Sequence, residues 1–257
     1  MPLTFSRYNT RVDTTTTQRL LDLNRQFYQT FALQFSATRQ RLQPGVRRIL
    51  ESLPRSSRIL DLGCGNGELA RALARRGQGG QYVGVDFSPD LIDEAKRRVD
   101  VQFPGFTFQF TQADLADPGW DAAIPGGPFE AVLALAVLHH LPGRELRLQT
   151  LRKVRRMLSS GGRFIHSEWQ FLNSPRLRLR IQPWEASGLD GSLVDPGDYL
   201  LDWRHGGSGL RYVHHFSPDE LTDLAEKTGF HIGDSFLSDG EGGNLGLYQV
   251  WEISSLS

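Results

Sequence analysis

The sequence predicts a doubly wound α/β fold, built on a mostly parallel seven-stranded sheet whose last strand runs antiparallel. Three observations predict it. Short apolar runs alternate with amphipathic helical stretches over residues 55–169, and strands separated by helices pair in parallel through right-handed crossovers. The first apolar run opens directly into the glycine cluster Gly63-Cys64-Gly65-Asn66-Gly67 and a helix, the kind of turn at which such sheets receive a ligand. The chain ends in two β-type runs, 231–237 and 245–253, joined by the glycine-rich segment 238–244, a hairpin that reverses the final strand.

In chain order, residues 18–53 carry apolar side chains at helical spacing (Leu20, Leu23, Phe27, Phe31, then Val46, Ile49, Leu50, Leu53), interrupted at Pro44. Residues 1–54 therefore read as a helical N-terminal extension. The core, 55–169, follows as strand 58–62, helix 68–76 stopping at Gly77, strand 81–86, helix 89–99, strand 106–112, strand 129–135, helix 145–158 stopping at Gly161-Gly162, and strand 163–169. Residues 173–210 read as irregular and too long for a plain connection, which makes 170–216 a lid or substrate insertion after the fifth strand. Ser217 then caps a helix running to Lys227, with acidic residues in its first turn, and 217–257 completes a single domain.

Composition narrows the function classes. Twenty-nine basic and twenty-nine acidic residues give a formal net charge of zero, which does not suit a generally basic nucleic-acid binder, and no DNA partner is expected. The single cysteine, Cys64, excludes an intrachain disulfide and a multi-cysteine zinc site; no metal is expected, and a reducing compartment fits. The first seven residues contain no apolar leader and no run is long enough to cross a bilayer, so the expectation is a soluble, cytoplasmic protein without a membrane partner.

The chemistry-bearing positions lie at the carboxyl ends of successive strands. Gly63, Gly65 and Gly67 let the backbone approach a ligand, and the helix that follows offers free N–H groups to a carboxylate. A dinucleotide fingerprint would place a third glycine at position 68, where this chain has Glu68, so a nicotinamide dehydrogenase is disfavoured. Asp86 ends the second strand about twenty residues on, where a carboxylate accepts from both hydroxyls of a ribose. Phe87 beside it offers an apolar face to adenine, and Asp114 after the third strand an acceptor for its amino group. Asp61 orients the loop.

The segments LDLGCGNG (60–67), YVGVDFSPDLI (82–92), QADL (112–115), FEAVLALAVLHHL (129–141) and LRKVRRMLSSGGRFI (151–165) together resemble the successive motifs of the class I, Rossmann-like S-adenosylmethionine-dependent methyltransferases. The resemblance implies S-adenosylmethionine as cofactor, S-adenosylhomocysteine as its product, and cofactor contacts at Gly63, Gly65, Asp86, Phe87, Asp114, Leu115 and Leu135. Arg39 is a further candidate, toward the cofactor carboxylate. In the flanks, 35–39, 211–214, 220–221 and 239–244 are similar to the tRNA wobble-uridine carboxymethyl methyltransferases, some of which work with a small activator protein. Leu245 stands where that family tends to have tryptophan, and the insertion differs.

Methyl transfer from a sulfonium to an O or N acceptor needs alignment above all, and a base only when the acceptor carries a proton. His140 and His214 are the candidate catalytic histidines, and Arg211, Tyr212 and His215 the candidate substrate contacts. If 211–216 is a strand, alternation puts Arg211, Val213 and His215 on one face and Tyr212, His214 and Phe216 on the other. Two acceptors are open. A small molecule would sit under an apolar lid. A tRNA uridine would call on Arg176, Arg178, Arg180 and Arg204 for phosphates and on Trp184 and Trp203 for stacking. The rival of another class is a non-catalytic cofactor-binding subunit of a second enzyme.

Overall fold

The fold is that of a computed structural model, which describes residues 12–38, 41–99, 103–204 and 206–254, with only the backbone of the helical residues 32–38. The chain runs α1 (Thr14–Thr38), α2 (Pro44–Ser52), β1 (Ser56–Leu62), α3 (Glu68–Arg75), β2 (Gly79–Asp86), α4 (Pro89–Arg98), β3 (Phe106–Gln112), β4 (Phe129–Leu135), α5 (Arg144–Met157) and β5 (Leu158–Trp169). It continues with α6 (Pro175–Arg178), β6 (Ile181–Gln182), β7 (Asp198–Trp203), β8 (Gly209–His214), α7 (Pro218–Lys227), β9 (Phe230–Ser238) and β10 (Gly246–Ile253).

Seven strands form one sheet in the order β3-β2-β1-β4-β5-β10-β9. β1 through β5 pair in parallel, and β10 runs antiparallel to both β5 and β9. Because helices cover both faces, the central strands are apolar on both sides. Leu60, Val83, Val132 and Phe164 enter one core layer, while their neighbours Ile59, Tyr82, Leu133 and Ile165 enter the opposite one.

Local sequence sets the ends of the elements. Pro44 occupies the first turn of α2, where its missing N–H costs nothing. Ser88, Ser174 and Ser217 accept backbone N–H bonds at the starts of α4, α6 and α7, as N-caps do. One boundary differs from expectation: α5 passes straight into β5 at Leu158, so Gly161 and Gly162 lie inside a strand and end no helix. A Cβ on Gly162 would stand 2.8 Å from the Phe129 carbonyl oxygen, so the glycine serves a close strand approach beside the β4–β5 register shift.

The insertion is more ordered than its sequence suggests. β6, β7 and β8 form a second, antiparallel sheet. α1 and the main core bury both sides of β8, where Arg211 to His214 are all buried. The Asn24 side chain of α1 accepts the Tyr212 N–H at 2.9 Å, satisfying a strand-edge donor.

A buried ionic cluster joins this small sheet to the core. Arg147, 1 % exposed, donates to the Leu141 carbonyl (2.9 Å), the Tyr212 hydroxyl (3.0 Å) and Glu220 (3.2 Å). Tyr212 donates to Asp198 at 2.7 Å, and His214 reaches Asp198 at 2.6 Å and Glu220 at 2.9 Å through its two ring nitrogens. Burial pushes the Asp198 carboxyl up, but the His214 hydrogen bond and the charges of His214 and Arg147 outweigh it and hold the group below its ordinary value.

Candidate active site

The carboxyl ends of β1, β2, β3 and β4 converge on a cavity of about 270 Å³, roofed by α1. Its floor is the glycine turn after β1. The N–H groups of Gly63 and Cys64 both donate to the Val85 carbonyl, at 2.8 and 2.9 Å, which pins the turn to β2. Gly65 has φ +54°, and a Cβ there would meet nothing within 4 Å; it would project into the open cavity it lines. Gly63 is closed in instead, since its Cβ would lie 2.6 Å from Val137.

Asp86 stands at the end of β2. One carboxylate oxygen accepts from Gly65 N–H and the other from Ser88 N–H, each at 2.9 Å. Every carboxylate oxygen has a second lone pair, so both retain acceptor capacity for a pair of vicinal hydroxyls. Burial pushes the Asp86 carboxyl up to about 6 against those backbone hydrogen bonds. Asp61 lies beneath, takes a hydrogen bond from the Tyr82 hydroxyl, and is raised by burial to about 7. The open space at Gly65 beside a carboxylate with acceptor capacity on both oxygens fits S-adenosylmethionine.

Phe87, Asp114, Leu115 and Leu135 line the same cavity as Gly63, Gly65 and Asp86. Arg39 lies outside the described residues. Asp114 has a partner that the sequence did not suggest: one oxygen accepts from Ala116 N–H at 2.9 Å, and the other receives Arg25 Nε and Nη2 at 2.9 and 2.6 Å.

Arg25 belongs to a stripe of α1, Leu21, Asn24, Arg25 and Tyr28, that faces the cavity. Its spacing of three, four and seven residues is one helix face. The adjacent stripe of Leu20, Phe27 and Phe31 is buried, and the polar residues repeating at helical spacing alongside it are the sequence signal of the cavity face.

His140 sits on a short 3-10 turn after β4 and lines the cavity. Its Nε2 lies 2.8 Å from the Tyr28 hydroxyl and its Nδ1 3.4 Å from the Tyr212 carbonyl. His139 turns away, with Nδ1 3.0 Å from Glu168, whose other oxygen is 2.9 Å from His166. Burial raises the Glu168 carboxyl well above its ordinary value and lowers His166 to about 3.

The other candidate positions lie elsewhere. His214 and Tyr212 belong to the Arg147 cluster and are not among the described residues lining the cavity. The Arg211 guanidinium lies 4.7, 5.6 and 5.8 Å from the ring centroids of Trp169, Phe27 and Trp203. His215 packs edge-on against Phe171. The alternation expected across β8 is observed. Trp203 is buried against Phe27 and Phe31, Trp184 packs beside Leu20 and Leu189, and Arg180 and Arg204 converge on Asp202 at 2.9 and 2.5 Å. Of the RNA set, Arg176, Arg178 and Arg204 are exposed, Arg204 while paired with Asp202. Among the described residues, no three His, Cys, Asp or Glu side chains form a group that could hold a metal ion, and no helix is long and apolar enough to cross a membrane.

A doubly wound sheet of this order, with a buried carboxylate after β2 and an open glycine turn after β1 lining one cavity, is the architecture of the Rossmann-like S-adenosylmethionine-dependent methyltransferases. The chain belongs to the methyltransferase-domain family, whose model matches residues 35–233. It is 28 % identical over 224 residues to the tRNA (carboxymethyluridine(34)-5-O)-methyltransferase of Schizosaccharomyces pombe, a match covering 80 % of this chain and 88 % of that one. It is 33 % identical over 138 residues to the demethylmenaquinone methyltransferase of Thermus thermophilus, covering 53 % and 57 % of the two chains. A solved S-adenosylmethionine-dependent methyltransferase from Methanosarcina mazei shares the fold, with a TM-score of 0.64 at 21 % identity over 84 % of this chain and 99 % of that one.

Proposed function

We propose that this methyltransferase acts on a small molecule whose acceptor oxygen or nitrogen carries a proton. The observation that carries the reading is that α1 lines the cavity with Asn24, Arg25 and Tyr28 beside His140, which gives a concave pocket suited to a compact acceptor. Such a pocket excludes water and aligns the acceptor. The cofactor, when bound there, supplies a methyl carbon already activated for in-line displacement. Gly65 and Asp86 seat it, and the wall formed by Leu135, Tyr28 and His140 positions the acceptor.

Part of the set expected of an RNA platform is engaged within the protein, while Arg176 and Arg178 are exposed. Trp203 is core, and Arg180 and Arg204 are held by Asp202. The second reading, a carboxymethyl group on a tRNA uridine, draws on the similarity to the S. pombe enzyme over most of both chains. The two separate in one experiment. The protein is incubated with tritiated S-adenosylmethionine and either total tRNA or a small-molecule cell extract, and the labelled product is located by mass spectrometry. Label in the extract is expected; label confined to tRNA overturns the small-molecule reading.

A further inference from the structure

We propose that Tyr28 and His140 act as a proton-relay pair, Tyr28 taking the proton of the acceptor while passing its own to His140 Nε2. The inference rests on the reading that the acceptor carries a proton, and it assigns a reacting role to a residue of the N-terminal helix.

The geometry is that of a base with its orienting groups in place. His140 is held at three points, two on its ring and one on its backbone. Its Nδ1 faces the Tyr212 carbonyl at 3.4 Å, an acceptor only; the proton of the neutral imidazole therefore belongs on Nδ1, an assignment made from the neighbours. That leaves the Nε2 lone pair directed at the Tyr28 hydroxyl, 2.8 Å away. The His140 carbonyl lies 3.5 Å from the Asn24 side-chain nitrogen, and the Asn24 oxygen accepts from Tyr212 N–H at 2.9 Å. A single asparagine thus ties the turn that carries His140 to β8 and to α1. The Tyr28 ring stands edge-on to Phe87 and to His140, at 5.8 and 5.5 Å between centroids, so its hydroxyl is fixed between the cofactor end of the cavity and the imidazole.

The step balances as follows. The acceptor lone pair forms a bond to the methyl carbon while the carbon–sulfur bond breaks and its electron pair stays on sulfur. The acceptor proton passes to the Tyr28 oxygen, the Tyr28 proton to His140 Nε2, and the resulting imidazolium releases a proton to water. Among the described residues, the ionisable groups against the imidazole are Tyr28 from α1 and His139 on the same turn, its ring centroid 4.4 Å away; β8 meets it through the Tyr212 carbonyl, and the Arg25–Asp114 pair lines the same cavity.

The test uses Tyr28→Phe, which keeps the ring contacts and removes only the hydroxyl, and His140→Asn as a second variant. Label transfer from tritiated S-adenosylmethionine into a small-molecule extract should fall about 100-fold in each, with S-adenosylhomocysteine affinity by calorimetry within about twofold of the parent. Nitrogen-15 histidine spectra of the protein with S-adenosylhomocysteine give a readout independent of activity: the parent should show His140 protonated on Nδ1 with an unprotonated Nε2, and Tyr28→Phe should shift the Nε2 resonance. Transfer by Tyr28→Phe at the parent rate, or the proton found on Nε2, overturns the relay whatever the acceptor. Label confined to tRNA overturns the acceptor reading instead.

Discussion

Arg25 Nε and Nη2 close on a single oxygen of Asp114, at 2.9 and 2.6 Å, across the mouth of the cofactor cavity. The pair joins the N-terminal helix to the loop after β3, and it engages the carboxylate expected to meet adenine. The two side chains are 30 % and 24 % exposed, so water screens part of their attraction. Arg25→Ala should therefore cost about 1 kcal/mol or less in stability, yet accelerate hydrogen exchange along α1 and speed S-adenosylhomocysteine dissociation several-fold. Stopped-flow release together with exchange mass spectrometry measures both; unchanged exchange in α1 would remove the helix's dependence on this pair.

Asp86 predicts a pH dependence of cofactor binding. Its carboxyl titrates near 6 because it is buried, and only the ionised form has all its lone pairs available to ribose hydroxyls. Affinity should be constant above about pH 7 and fall toward tenfold per unit as pH drops below 6. The effect on the free protein has the opposite sign. A folded value above the ordinary 3.8 means that this group's stabilising contribution is complete below 3.8 and lost as pH rises through about 6. Calorimetric titration between pH 5 and 8, beside thermal melts of the free protein, tests both directions.

Two glycines separate binding from folding. Gly65 has φ +54° with open space where a Cβ would go, so Gly65→Ala should cost about 1–2 kcal/mol of backbone strain while lowering cofactor affinity at least about tenfold. Gly80, at φ +96°, would place a Cβ 2.3 Å from the Ser57 carbonyl oxygen where β1 and β2 begin to pair. Gly80→Ala should lower the melting temperature far more and leave the affinity of the folded protein unchanged. The reverse ranking would misplace the cradle.

Arg147 predicts a stability defect without a binding defect. Replacing it with Leu leaves Asp198 and Glu220 facing each other and His214 inside the core. Removing one partner of a buried ion pair costs about 3–5 kcal/mol. Arg147→Lys should recover little, because a single ammonium cannot reach the Leu141 carbonyl, Tyr212 and Glu220 together. Denaturant melts of both variants measure this, and a loss below 1 kcal/mol in Arg147→Leu would contradict it.

Legibility followed locality. The core strands and helices were readable because each signal is short-range: a glycine at a turn, a serine cap, an apolar run ended by a charge. Gly161-Gly162 was misread for the same reason, since glycine after a basic helix looks like a stop, and only the carbonyl of Phe129 across the sheet explains it. Of the small sheet, only the alternation over 211–216 was legible; β6 and β7 lie in the stretch read as irregular, with β6 only two residues long.

By itself the sequence determined the donor side of this protein. The spacing of Gly63, Gly65, Asp86 and Asp114 repeats one physical device, a ligand group at the end of each parallel strand, and those four residues line one cavity in the folded chain. Only tertiary structure decided which other side chains share that cavity. Tyr28 and His140 are 112 residues apart and meet at 2.8 Å. His214 and Tyr212, which look reactive in sequence, are committed to Asp198, Arg147 and Glu220. A polar side chain in isolation does not state whether it will face a ligand or a buried counter-charge; that depends on which elements pack against it, and α1 closing over the sheet made the choice.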